Sequence, residues 1–99
     1  MIKHIVTWKL SATDDAGKQS SFDAIAAVLR PLADSVPSVR SLTVGRNVAY
    51  PDTNWDLVLV AEFDDLAGLE AYQVNPDHKA AAAVVRANVE ARSGIDYEF

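Results

Sequence analysis

The chain holds two histidines, His4 and His78, and no cysteine. An imidazole titrates near pH 6.5, so a small environmental shift places it at working pH for acid–base chemistry. His4 lies in Ile2-Lys3-His4-Ile5-Val6-Thr7-Trp8-Lys9-Leu10, on the same alternating face as Val6 and Trp8. Two readings of it are open: a hydrogen-bonded, inert histidine at the rim of the interior, or an acid–base or ligand-binding group. His78 follows Tyr72 by six positions, with Asn75-Pro76 between them. On one straight helix that separation is a net rotation of about 240°, so the two rings would not face each other. A break at Asn75-Pro76 turns the second helix and brings both side chains to one mouth. A histidine base would then have its orientation or proton exchange supported by a phenol. The alternative is that Tyr72 is a core aromatic and His78 a first-turn surface residue.

Other chemistries are poorly served. The lack of cysteine excludes disulfides, a thiolate metal site and a thiol nucleophile. No His-x-x-x-His, His-Glu-x-x-His or Asp-x-Asp-x-Asp pattern occurs, so no metal site is expected. Asp14-Asp15 and Asp64-Asp65 read as helix caps instead. No phosphate-cradling glycine motif or nucleophile elbow is present, and no cofactor is expected. The net charge of −5 argues against nucleic acid as a partner. With no apolar run of the ~18 residues that span a bilayer and no signal peptide, no membrane partner is expected either, and a cytoplasmic location is.

Ninety-nine residues make one domain, 1–99, that buries a modest core and gains from a partner subunit. The charge is uneven: residues 1–50 carry a net +2 and residues 51–99 a net −7. This reads as two solvated faces, or as complementary potentials where two copies meet.

The element order reads βαββαβ. The first strand is Ile2–Leu10, rich in β-branched and aromatic residues. A helix starts at Thr13 to Asp15, with Phe22, Ile25, Ala26, Leu29 and Leu32 at helical spacing, and Pro31 kinks or ends it. Val39 to Val48 is a second strand with a bulge or bend at Gly45, and Trp55 to Phe63 a third. Asp64-Asp65 opens a helix through Leu66, Leu69 and Tyr72, and Asn75-Pro76 opens another that runs on through Val89. After a break at Gly94, Ile95 to Phe99 forms a short fourth strand.

Leu57-Val58-Leu59-Val60-Ala61 is apolar on both faces, whereas a strand with one wet face alternates. Right-handed crossovers put both helices on one side of the sheet. The other side, assigned here to Leu57, Leu59 and Ala61 with Val6, Trp8 and Leu10, then needs a cover. A second copy of the chain is the simplest one, giving a homodimer through the open sheet face whose paired sheets enclose a barrel-like interior.

Ile2-Lys3-His4, Val36-Pro37 to Val44-Gly45-Arg46-Asn47, Trp55 to Phe63, Leu69 to His78 and the terminal Asp96-Tyr97 together resemble the stress-responsive A/B barrel (Dabb) domain family, in order and spacing along the whole chain. The resemblance implies an α+β, ferredoxin-like βαββαβ fold with a four-stranded antiparallel sheet, dimerising into an alpha-beta barrel. Members include stress-induced plant proteins and cyclases such as olivetolic acid cyclase, which closes a linear tetraketide by aldol condensation. The cavity residues of that cyclase match His4, Tyr72 and His78 here, and the resemblance implies proton abstraction and transfer by the Tyr–His pair. This chain lacks the cyclase's tyrosine on the first helix and has Leu57 nearest to its histidine on the third strand.

Three functions follow as expectations. The first is a cofactor-free cyclase, isomerase or lyase acting on a small apolar oxygenated ligand. In it His78 is the base, Tyr72 its partner and His4 a second acid–base or binding group, with Val6, Trp8, Leu57 and Leu59 shaping the substrate pocket. The second is a non-catalytic ligand-binding or stress-response dimer. The third is a haem or quinol monooxygenase, which would need Asn47, Trp55 and His78 to come together.

Overall fold

Alternation along Ile2–Leu10 produces the central strand, β1 (Ile2–Leu10), in the computed structural model, which describes residues 1–99. It is followed by α1 (Asp15–Leu29), the single turn α2 (Leu32–Ser35), β2 (Ser41–Arg46), β3 (Leu57–Phe63), α3 (Leu66–Val74), α4 (Pro76–Asn88) and β4 (Val89–Glu98). The four strands form one antiparallel sheet in the order β2-β3-β1-β4. This is the ferredoxin-like arrangement, with the helices on one face.

Several boundaries differ from the sequence reading. Of the two outcomes expected at Pro31 the helix ends, and the chain restarts as α2. The Gly45 position lies in a regular ladder opposite Val58, with no bulge. Gly94 is no break: β4 starts at Val89 and pairs along the whole of β1, placing Gly94 opposite Val6. The irregularity sits instead between Lys9 and Leu10. α4 therefore ends at Asn88, whose amide side chain donates to the Val84 carbonyl at 2.8 Å.

The assignment of the two sheet faces is reversed. Val6, Trp8, Leu10, Leu57, Leu59 and Ala61 all lie under the helices in a core with Ile25, Leu29, Leu32, Phe63, Leu69, Tyr72 and Val85. The physical reason is composition within each alternating set. The helix-facing set holds the larger, nearly unbroken apolar residues, each contributing about 1.5–3 kcal/mol on full burial. The open set mixes Lys3, Thr7 and Glu62 with β-branched Ile5, Val58 and Val60, which stay only half-buried, and Ile95, which is 65% exposed.

Asp56, just before β3, ties the layers at one end. Its carboxylate accepts from the Leu10 amide at 2.8 Å and pairs with Lys18 of α1 at 2.9 Å. Burial opposes its ionisation, but the Leu10 amide and the Lys18 ammonium outweigh that and hold the carboxyl below its ordinary value.

Candidate active site

The site is assembled by β1, the α3–α4 break and β4. His4 is on the central strand and points toward the helices, 3% exposed. Tyr72 follows Leu69 by three positions on α3, so both turn inward, and Tyr72 is 1% exposed. At Asn75 the backbone becomes extended (φ −62°, ψ 133°), and the Asn75 side chain caps α4 by accepting from the Asp77 amide at 2.8 Å. Pro76 occupies the first turn, where no amide donor is needed. This break redirects the chain so that the Tyr72 and His78 rings meet, with centroids 4.3 Å apart at 53°. The Tyr72 ring also packs on Phe63 at 5.2 Å and stands edge-on to His4 at 6.0 Å.

These rings open on a cavity of about 280 Å³ between the sheet and the helices. Val6, Trp8 and Leu59 line its floor, with Leu29, Ala82 and Val85 on the helical side and Gln73, Arg86 and Arg92 as polar neighbours. The cavity is thus inside one chain, not between two sheets as the sequence reading had it. Leu57 is buried but lies beyond this cavity, bordering a depression with Thr7, Arg46, Asn47 and Trp55. Asn47 and Trp55 are therefore not brought together with His78. No group of three or more His, Cys, Asp or Glu side chains is placed so that it could hold a metal ion.

Hydrogen bonding fixes both imidazoles. His78 Nδ1 donates to the Gln73 carbonyl at 3.2 Å, since a carbonyl can only accept. Its Nε2 is left with a free lone pair. Burial pulls the His78 pKa below its ordinary value; the Gln73 carbonyl works against this, while His4, Arg86 and Arg92 add to the lowering. His4 Nδ1 donates to the Asp96 carboxylate, which the antiparallel register of β1 and β4 places directly opposite. Burial pushes the Tyr72 phenol up to about 12, so it stays protonated. Ser38 Oγ is the single sealed, unpartnered polar side-chain atom. The Tyr72 hydroxyl, which makes no hydrogen bond within the chain, must then reach the cavity.

The arrangement is a neutral base beside a protonated phenol, with an acid-anchored second imidazole across the cavity. Sequence reasoning missed Asp96, Arg86 and Arg92. A full-length fourth strand would have exposed Asp96 and Arg92, because the ladder sets them opposite His4 and Trp8.

Comparison with known proteins places the fold. A dimeric ferredoxin-like protein of unknown function from Bacteroides fragilis is 30% identical with a TM-score of 0.88, over 99% of this chain and 95% of that one. A Dabb family protein with a ferredoxin-like fold from Mesorhizobium loti is 23% identical with a TM-score of 0.75, over 98% of this chain and 94% of that one. The hydroxynitrile lyase from Passiflora edulis shares the fold at 16% identity and a TM-score of 0.80, over 97% of this chain and 90% of that one. No curated protein matches the sequence. The family described as the Stress responsive A/B Barrel Domain matches residues 2–99, and the chain belongs to that family.

Proposed function

We propose that the cavity is the active site of a cofactor-free cyclase, isomerase or lyase that moves a proton at carbon in a small, largely apolar oxygenated molecule. The Tyr72–His78 ring contact on an apolar cavity carries this reading. His78 Nε2 takes a proton from carbon next to a carbonyl. The electron pair left behind moves into that carbonyl, and the Tyr72 hydroxyl donates a hydrogen bond to the oxygen where charge gathers. Return of the proton from His78 to a different carbon completes an isomerisation; where the carbanion instead attacks a second carbonyl, that carbonyl's π pair moves to its oxygen as the ring closes, and the oxygen takes the proton held on His78. His4, held in one tautomer by Asp96, is a second acid–base or binding group on the cavity lining. Val6, Trp8 and Leu59 keep water from the reacting carbon.

A homodimer accompanies this reading. The open sheet face presents Ile5, Val58, Val60 and Ile95, an apolar strip that a second copy covers, and the Bacteroides fragilis relative is described as dimeric.

The test is solvent hydrogen exchange at the activated C–H of acetylacetone, followed by NMR. Wild-type protein should accelerate exchange above buffer, and His78→Ala and Tyr72→Phe should each remove about 10²-fold of it. Exchange that is equal in wild type and both variants would sink the catalytic reading and leave a ligand-binding protein.

A further inference from the structure

Residues 51–99 carry a net charge of −7 and only three cations, Lys79, Arg86 and Arg92. Two of the three line the same cavity: Arg86 from the last turn of α4 and Arg92 from β4. The other arginines of the chain are engaged. Arg40 pairs with Asp64, Arg46 with Asp15, and Arg30 lies on the Phe22 ring. Arg86 and Arg92 have no carboxylate, carbonyl or ring partner. The acids that flank Arg92 on its own strand are already occupied, Glu90 by Lys9 and Asp96 by His4. The Arg92 guanidinium folds back along β4 across Gly94, with Nη1 only 3.2 Å from where a Cβ at that position would stand. Gly94 pairs with Val6, so this is the cavity side of the strand. The bare backbone of Gly94 makes room for the guanidinium there.

Two guanidinium groups free of protein partners on the lining of one apolar cavity can each hold a carboxylate through paired N–H donors. They also make the cavity locally positive in an acidic chain, which draws anions toward it. We propose that Arg86 and Arg92 form a carboxylate subsite, and that the substrate of the proton-transfer site is a small carboxylic acid with an apolar body. This rests on the reading of the cavity as an active site. A bound carboxylate would also favour the charged form of the neighbouring His78.

The experiment compares benzoate with benzyl alcohol as probes, reading the ring signals of His4 and His78 by NMR and affinity by calorimetry. Benzoate should bind at least 10-fold more tightly, weaken as salt rises, and shift the His78 titration upward. Arg86→Gln and Arg92→Gln should each lower benzoate affinity by roughly 10-fold and leave benzyl alcohol unchanged. Arg92→Lys should recover part of the loss. Gly94→Val, which keeps every charge but displaces the guanidinium, should weaken benzoate as well. Equal binding of the two probes, or benzoate binding indifferent to both arginine substitutions, overturns the subsite. Acetylacetone carries no carboxylate, so its exchange reports on the proton-transfer reading separately. Arginine-dependent benzoate binding without catalysed exchange supports the carboxylate subsite while removing the enzyme reading.

Discussion

The division of labour proposed for Tyr72 and His78 rests on one physical cause acting in opposite directions on two kinds of group. Burial disfavours charge, so it lowers an imidazole and raises a phenol. His78 is therefore neutral and basic at its free nitrogen, while Tyr72, pushed up to about 12, remains a donor. The acetylacetone exchange rate should rise with pH through an inflection below ~6.5, the ordinary histidine value. Stability follows the same signs. The folded His78 binds fewer protons than the unfolded one, so its contribution is present above ~6.5 and is lost as pH falls through its lowered value. The Tyr72 contribution is present below pH ~10 and is lost as pH climbs toward its raised value. Because burial, not the phenol, leads the causes at His78, Tyr72→Phe should leave the His78 titration low while slowing exchange. NMR titration of the His78 ring in that variant checks this, and a return of His78 to ~6.5 would show the phenol to be the cause.

At the scale of elements, the decisive feature is the one-residue break between α3 and α4. Had the helix run straight through, Tyr72 and His78 would face different ways. Asn75 holds the break through its cap on the Asp77 amide. Asn75→Ala should destabilise the chain by about 1 kcal/mol and Asn75→Gly by only a few tenths, measured by urea unfolding. Equal loss in both would mean that the side-chain cap does not hold the break. This element was legible beforehand because Asn followed by Pro is a local signal, chemically complete within two residues. β1 and the inward turn of Tyr72 were legible for the same reason, through short periodicities. The face assignment and β4 were not. Within β3 alone the two alternating sets are both apolar but for Glu62, and the difference in composition between the faces emerges only when β1 and β3 are set in register, which is long-range information. The Val89–Glu98 strand has little β propensity of its own and exists because β1 offers it a ladder along its full length. Since Asp96 and Arg92 enter the site only through that ladder, they were hidden with it.

At the scale of the molecule, a site contained within one chain separates two properties that a barrel-interior site would have joined. Only 20 of 99 residues are buried in the single chain, and none of the open-face set Ile5, Val58, Val60 and Ile95 is among them. A chain of this size has little core to spare, so covering that strip with a second copy adds materially to stability. Val60→Lys places a charge at its centre, opposite Ile5 in the β1–β3 ladder, without touching the helix side. Sedimentation should show dimer for the wild type and monomer for Val60→Lys, with a lower and concentration-independent Tm in the variant. The lowered His78 titration, and benzoate binding, should survive in that monomer, because every residue argued to act comes from the same chain. Loss of both together with the dimer would mean instead that the partner shapes the cavity, by bracing β4 so that Asp96 and Arg92 keep their places. An unchanged dimer would move the contact off the sheet and toward the exposed Val48 and Tyr50 of the loop between β2 and β3. Independence is the expected result, since β4 is already bonded along the full length of β1 and needs no second chain to hold its register.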